Sequence, residues 1–177
     1  MRLLPMIAAG SILAGAASPA WANGWDDSST AGEAALVAAA IGLPAAKGDG
    51  EGALQAGGSL AASFAVTEGL KRLVDERRPD GSDRRSFPSG HTSASFAAAA
   101  TLHRRYGWKV GLPATVLAGF VGVARVEARK HFWHDVVAGA AIGEAAGFLI
   151  TSRRDSRVQL VPWGDSGSGG VSTAMRF

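Results

Sequence analysis

Three short polar clusters constrain this chain more than any other feature, because together they contain the groups needed to hold an oxyanion. They are Lys71 to Pro79, Pro88 to His91, and Arg125 with His131 and Asp135. The set offers three cations, a glycine turn with backbone N–H groups, and two histidines, one of which has a carboxylate four residues away. We expect the clusters to form one pocket that binds a tetrahedral oxyanion and transfers a phosphoryl group.

The cations and the turn are the predicted phosphate-binding groups. Arg78 and Arg125 would each offer a planar fork of donors, and Lys71 a compact point charge. Ser89 and Gly90 precede an alanine-rich run that predicts a helix, so free N–H groups and the positive end of the helix dipole would face a bound phosphate. Gly90 also lets the backbone approach closely, since it has no Cβ.

The two histidines are the predicted reactive groups. His91 lies at the edge of the turn, where it can protonate a departing alkoxide. His131 and Asp135 are four residues apart and therefore share a face of any helix that carries them. The carboxylate would fix the imidazole tautomer and leave the other ring nitrogen free to attack phosphorus.

These motifs resemble those of the type 2 phosphatidic acid phosphatase (PAP2) superfamily, which shares its site with bacterial class A acid phosphatases and vanadium haloperoxidases. The family pattern has three parts, K-x6-R-P, P-S-G-H and S-R-x5-H-x3-D, and they match the three clusters in order and spacing. Ala124 is a departure, since the family usually has serine there. The resemblance covers the chain from about Gly50 to Leu149.

The resemblance implies a phosphatase that needs no metal or other cofactor. In such a mechanism His131 attacks phosphorus and forms a phosphohistidine, His91 protonates the leaving oxygen, and Asp135 orients the nucleophile. The three cations neutralise the charge that a metal would otherwise meet. The expected substrate is a phosphomonoester or diphosphate: a lipid such as phosphatidate or a polyprenyl diphosphate, or a soluble phosphoester.

Simpler explanations exist for each cluster taken alone. Lys71 could form an ion pair with Asp75 across one helical turn, and Glu68 could do so with Arg72. The turn at Ser89 could be an ordinary helix start. It is the coincidence of three ordered motifs that favours phosphoryl transfer.

Other function classes fit less well. His131, His134 and Asp135 could be read as metal ligands, but the sequence offers no convincing third ligand beside two histidines three residues apart and an adjacent aspartate. A vanadium haloperoxidase would use the same pocket, although those chains are much longer. A non-catalytic phosphate-binding protein would retain the site without turnover.

Composition and the N-terminus indicate an exported protein of one domain. The chain has 177 residues, of which 47% are hydrophobic, no cysteine, and a net charge of +3, which suits an anionic substrate or membrane better than nucleic acid. A signal peptide is predicted over residues 1–22, because Arg2 is followed by an apolar run from Leu3 to Ala17 and by small residues at Ala20 and Ala22. The alternative is an uncleaved anchor. The phosphatase domain would then cover 23–152, and a tail 153–177.

Helix lengths leave the relation to the membrane open. Acidic residues at Glu68, Glu127 and Glu144 interrupt the apolar segments, which favours a soluble or peripheral periplasmic protein. Five helices plus the N-terminal segment would, however, equal the six spans of integral family members. The alternative is therefore an inner-membrane enzyme with its site facing the periplasm.

The fold class expected is an all-α, single-domain bundle of five to six helices with a C-terminal β-hairpin. Residues 23–30 read as a flexible lead-in. Glycines at 139, 143 and 147 should form a groove for a neighbouring helix backbone. The predicted helices cover 31–46, 53–75, 89–106, 113–129 and 134–150, and the predicted strands cover 158–163 and 171–177.

Overall fold

The computed structural model describes residues 20–154, 158–164 and 167–175. Five helices precede a two-stranded antiparallel sheet, which confirms the predicted all-α bundle with a C-terminal hairpin. Strand pairing runs from Val158 opposite Met175 to Gly164 opposite Gly169, and Phe177 lies outside the described residues. The elements are α1 (Ala20–Ala46), α2 (Gly50–Leu73), α3 (Gly90–Tyr106), α4 (Trp108–Glu127), α5 (Trp133–Ile150), β1 (Val158–Gly164) and β2 (Gly169–Met175).

Helix α3 lies at the centre of the bundle, in contact with the other four helices. Its middle is a run of four buried alanines, Ala97 to Ala100. Small side chains let neighbouring backbones approach closely. The core around α3 therefore depends on close helix packing more than on large side chains.

The closest approach is between α3 and the glycines of α5. An added Cβ would lie 2.5 Å from the Ser89 carbonyl oxygen at Gly139, 2.2 Å from an α3 carbonyl oxygen at Gly143, and 2.4 Å from an α3 alanine at Gly147. These distances confirm the predicted glycine groove and identify α3 as its partner. The contact at Gly139 sets the first turn of α3 against the start of α5.

Helix α1 differs from its prediction. It extends from Ala20 to Ala46, so residues 23–30 are helical rather than a flexible lead-in. The polar side chains of this stretch make tertiary contacts, described below, that composition alone does not reveal. Most of the predicted signal peptide, residues 1–19, lies outside the described residues, and cleavage after Ala22 remains a prediction.

Helix α4 begins at Trp108, five residues before Pro113, which was expected to open it. Gly107, with a positive φ of 81°, ends α3, and the chain enters the next helix immediately. Pro113 lies within the second turn of α4, where its missing N–H removes one backbone hydrogen bond from a helix of 20 residues. The remaining bonds and the packing of the helix outweigh that loss.

The end of the bundle remote from the polar clusters is closed by a buried ionic network. Asp49, in the turn between α1 and α2, accepts hydrogen bonds from Arg105 Nε at 2.9 Å and from the Tyr106 hydroxyl at 2.8 Å. Arg105 also donates to the Ser152 carbonyl at 3.2 Å. The bond from Arg105 is the main reason that the pKa of Asp49 lies well below its usual range. This network joins the end of α3 to the turn between α1 and α2 and to the segment that follows α5.

Two of the described helices, Ala22–Ala46 and Trp108–Glu127, are long and apolar enough to cross a membrane. Large apolar side chains also lie exposed on the outside of the bundle, among them Phe64, Val116 and Leu149. The first of these helices reaches its length because residues 23–30 belong to it. The sequence favours a soluble protein in part because the apolar segments predicted from it are shorter than these two helices.

Gly143→Ala should destabilise the bundle, because the new methyl group would lie 2.2 Å from the Ser93 carbonyl oxygen and force α3 and α5 apart. Overpacking of this kind costs about 1–3 kcal/mol. Gly57→Ala is the matched control, since an added Cβ there meets nothing within 4 Å, and alanine favours a helix by about 1 kcal/mol. Thermal unfolding followed by circular dichroism measures both. Equal unfolding temperatures for wild type and Gly143→Ala would contradict the packing described.

Candidate active site

Asp135 is the centre of the polar site, and it is fully buried near the start of α5. Its Oδ2 accepts hydrogen bonds from the Ser86 hydroxyl at 2.6 Å and from the backbone N–H of Phe132 at 2.9 Å, and lies 3.3 Å from His131 Nδ1. Burial alone would raise the pKa of Asp135, but these hydrogen bonds lower it to about 2. The carboxylate is therefore ionised and holds His131 by its Nδ1.

His131 is 2% exposed and lies in the short connection between α4 and α5. Burial lowers its pKa, and Arg125, Arg78 and Lys71 lower it further, although the bond to Asp135 acts in the opposite direction. Since Nδ1 faces a carboxylate, the proton of the neutral ring belongs on Nδ1. The Nε2 lone pair is then available as a nucleophile.

Two arginines, Arg125 buried and Arg78 half-buried, lie near both histidines. Arg125, 3% exposed, pairs with Asp26 of α1 and donates to the Ser29 hydroxyl at 3.2 Å. Its Nε is buried and has no hydrogen-bond partner among the described residues. Arg78 uses its Nε to bond Asp83 at 2.8 Å. A buried guanidinium with an unused donor has the character of a group that meets an acceptor on a ligand.

Lys71, at the end of α2, has a different environment from the one predicted. Its ammonium donates to the backbone carbonyls of Pro88 at 2.6 Å, Arg85 at 2.8 Å and Ser86 at 3.4 Å. All three of its protons therefore have protein acceptors. Lys71 fixes the segment before α3 and also contributes a positive charge to the pocket.

The turn before α3 supplies donors, but not all of those predicted. The Ser89 N–H donates to the Asp135 carbonyl at 3.1 Å, so it is not free to bind phosphate, and the prediction is corrected on this point. The Ser89 hydroxyl caps α3 by accepting from the Thr92 N–H. The N–H groups of Gly90 and His91 have no partner within the helix, because they belong to its first turn. They are the donors that remain for an anion.

His91 lies on the α1 side of the pocket, with Nε2 3.3 Å from the Thr30 hydroxyl and 3.4 Å from a Glu33 carboxylate oxygen. Burial and the nearby charges of Arg125 and His131 lower its pKa to about 4. A cavity of about 180 Å³ opens beside it, lined in part by Thr67 and Phe64. The ring therefore lies between the cationic groups and an open space.

The structure brings together most of the residues that the sequence singled out. Arg78 and Arg125 lie near enough to His91 and His131 to lower the pKa of both rings. The ion pairs considered as simpler explanations are not those observed. Glu68 pairs with Arg85 and Asp75 with Arg84, and Lys71 contacts carbonyls instead.

Sequence reasoning missed the contribution of α1. Asp26, Thr30 and Glu33 are spaced by four and three residues, so they share one helix face, and that face lines the pocket. This spacing is present in the sequence, but it indicates a shared face only if residues 23–30 are helical, and they were predicted to be a flexible lead-in. Ser29 brings a hydroxyl to Arg125, next to Ala124, where the resembled pattern has serine. Ser86 was also missed, since nothing in its spacing marks it.

The chain is similar to known proteins. A family model described as the PAP2 superfamily matches residues 52–158. Lipid A 1-phosphatase of Porphyromonas gingivalis is 39% identical over 75 residues, which cover 41% of this chain and 17% of that protein. Lipid A 4'-phosphatase of Helicobacter pylori is 33% identical over 121 residues, which cover 59% of this chain and 61% of that protein. The chain thus spans less than two thirds of the length of either relative.

Solved structures share the fold. LpxE of Aquifex aeolicus superposes with a TM-score of 0.63 at 21% identity, over 76% of this chain and 87% of that one. A Bacillus subtilis protein described as a transmembrane PAP2 type phosphatidylglycerolphosphate phosphatase superposes with a TM-score of 0.53 at 23% identity, over 76% and 77% of the two chains. At these identities the likeness concerns the fold.

Asp26→Asn should bind inorganic phosphate more tightly than wild type, because Asp26 is an anion that competes with phosphate for Arg125. Asparagine keeps an acceptor for the guanidinium but removes the repulsion between the Asp26 carboxylate and the phosphate anion. The Asp26 side chain is 37% exposed, and at the dielectric of water two charges about 4 Å apart interact by about 1 kcal/mol, so the gain is roughly fivefold in Kd. Isothermal titration calorimetry measures it, with Asp27→Asn as the neighbouring control. Weaker binding by Asp26→Asn would mean that Asp26 chiefly positions Arg125.

Proposed function

The chain belongs to the PAP2 superfamily, and we propose that it is a phosphatase that removes a phosphate group from a membrane lipid through a phosphohistidine intermediate, without a catalytic metal. The observation that carries the proposal is the pairing of His131 with Asp135 beside the buried, partly unsatisfied Arg125. A nucleophile held at one nitrogen and an anion site with unused donors are the two requirements of this chemistry.

In the first step, His131 Nε2 attacks phosphorus and the bond from phosphorus to the leaving oxygen breaks. The negative charge on the phosphoryl oxygens is met by Arg78, Arg125 and the free N–H groups at the start of α3. His91 donates its proton to the leaving oxygen, and the alcohol departs. In the second step, water attacks the phosphohistidine, His91 accepts a proton from that water, and phosphate is released with His131 restored.

A bound substrate would change the pKa of His91. A phosphate dianion would offset the positive charges of Arg125 and Arg78 that help to depress this pKa. Binding of substrate therefore favours protonation of His91 at the moment when an acid is needed. The cavity beside His91 gives the leaving group a place to lie, within reach of Thr67 and Glu33.

Two observations support a lipid substrate and a membrane location. The names of the relatives from Porphyromonas gingivalis and Helicobacter pylori each refer to lipid A. Helices α1 and α4 are long and apolar enough to cross a bilayer. The polar site lies at one end of the bundle, which would place it at a membrane surface. Together with the predicted signal segment, this favours an exported enzyme with its site on the periplasmic side.

The proposal is tested by phosphate release from purified protein in detergent. The panel should contain phosphatidate, a phosphorylated acyl-glucosamine, a polyprenyl diphosphate and a soluble aryl phosphate, each assayed with excess chelator. We expect activity on at least one lipid that survives chelation and is abolished in His131→Ala, whereas His103→Ala, at the other end of α3, retains it. Activity that needs an added metal, or that survives in His131→Ala, would refute the mechanism.

The two histidine variants should differ in their dependence on the leaving group. An aryl oxide leaves with little protonation, whereas an alkoxide needs a proton from His91. His91→Ala should therefore lose about 10²–10⁴-fold in kcat on an alkyl phosphate and much less on an aryl phosphate. His131→Ala should form no acid-labile phosphoenzyme with either ester. Rapid-quench assays measure both effects, and equal losses on the two esters in His91→Ala would assign the acid to another group.

The pH profile should report on Lys71. Burial, the largest cause, acts with Arg78 and Arg85 to lower its pKa to about 8, while Glu68 and Asp135 oppose the shift. A lowered lysine pKa means that its charge is present below about 8 and lost above it. We expect kcat/KM to fall above about pH 8 as the pocket loses this cation. Lys71→Met should show a low kcat/KM without that alkaline decrease; an unchanged decrease would assign it to another residue.

A further inference from the structure

A cluster of metal-binding groups lies beside Asp135, on the side away from His131. Of the candidate ligands His131, His134 and Asp135, the last two lie in this cluster, and the fold adds Glu76, 58 residues before His134. One ligand atom from each residue lies within 4.8 Å of the other two. The cluster is separate from the phosphate-binding groups, although its Asp135 also holds His131.

The distances fit a single ion. His134 Nε2 lies 2.8 Å from a Glu76 carboxylate oxygen and 3.1 Å from Asp135 Oδ1. Ligands about 2.1 Å from one zinc ion in a tetrahedral arrangement lie about 3.4 Å apart. An ion could therefore replace the proton now on Nε2 if the contact to Glu76 widened by about 0.6 Å and that to Asp135 by about 0.3 Å.

The second oxygen of Asp135 is the observation that points to a ligand. Oδ1 is buried and has no hydrogen bond from the residues described, although His134 Nε2 is close. The single proton on Nε2 is directed to Glu76, the nearer acceptor. A fully buried carboxylate oxygen without a donor is unfavourable, and a cation shared with His134 would satisfy it.

The imidazole of His134 is held in place for such a role. It is stacked on Phe132, with ring centroids 5.4 Å apart and planes 9° apart, and on Phe87 at 6.1 Å and 26°. Its side chain is 57% exposed, so an ion from solvent can reach it. The backbone of Glu76 is fixed as well, because its carbonyl accepts from the Ser86 N–H at 3.0 Å.

We propose that Glu76, His134 and Asp135 form an inhibitory site for a divalent cation of the zinc type. The inhibition, though not the binding, rests on the proposed phosphatase function. An ion on Oδ1 draws electron density from the carboxylate whose Oδ2 holds His131. The hydrogen bond to Nδ1 weakens, and the nucleophile becomes less basic and less well oriented.

The test uses tag-free, chelator-stripped protein in phosphate-free buffer, with Zn²⁺ as the probe. Calorimetry gives binding directly, and hydrolysis of a soluble aryl phosphate at set free Zn²⁺ gives inhibition. We expect wild type to bind one Zn²⁺ and to lose most of its activity. His134→Ala and Glu76→Gln should keep their zinc-free activity but need about tenfold or more Zn²⁺ for the same effect, as expected when a ligand is lost. His103→Ala is the matched histidine control and should behave as wild type.

The outcomes separate the two proposals. Zinc binding that is unchanged in both His134→Ala and Glu76→Gln, or absent from wild type, overturns the site. Binding that depends on both residues but leaves turnover unaffected overturns the inhibition. If no substrate is hydrolysed at all, the phosphatase proposal fails, while calorimetry with the same variants still decides whether the ion site exists.

Discussion

The approach of α3 to α5 at backbone contact distance is the constraint on which the site depends. At Gly139 there is no room for a Cβ above the Ser89 carbonyl, and the Ser89 N–H reaches the Asp135 carbonyl at 3.1 Å. The helix start that offers free N–H groups is thereby fixed against the helix start that carries the carboxylate. His91 and His131 come from different motifs, and this contact brings them to one pocket.

Around that contact, several groups of like charge lie close together and repel one another. Burial and mutual repulsion disfavour three cations and two histidines in one pocket, as the lowered pKa values of Lys71, His91 and His131 show. The fold offsets part of the repulsion with Asp26 from α1 and Asp83 from the loop before α3. What remains unsatisfied, above all Arg125 Nε, is positive and faces the pocket. An anion of the right shape would accept a hydrogen bond from this donor and offset the positive charge, which is the basis of preorganised binding.

The sequence predicted those parts of the site that depend on local spacing. The glycine groove on α5 follows from residue type and interval and is found where expected. The site residues follow from the same kind of spacing, and their roles stay predictions. What it could not predict depends on contacts between distant segments. Residues 23–30 read as polar coil because their partner, Arg125, lies about a hundred residues further along the chain. The sequence also predicted a free N–H donor at Ser89. That N–H donates to the Asp135 carbonyl of α5, a contact that the local sequence does not reveal.

The two oxygens of Asp135 show the same division between local and distant information. Oδ2 is saturated by His131, Phe132 and Ser86, and two of these three donors lie within four residues of it. Oδ1 has no hydrogen bond from the described residues, because the nearby His134 Nε2 donates to Glu76, 58 residues earlier in the chain. Because a carboxylate shares its charge between its oxygens, whatever occupies Oδ1 changes how strongly Oδ2 holds His131, the proposed nucleophile. The residue that orients His131 is thus also the point at which the solvent-exposed face of the bundle can influence the chemistry.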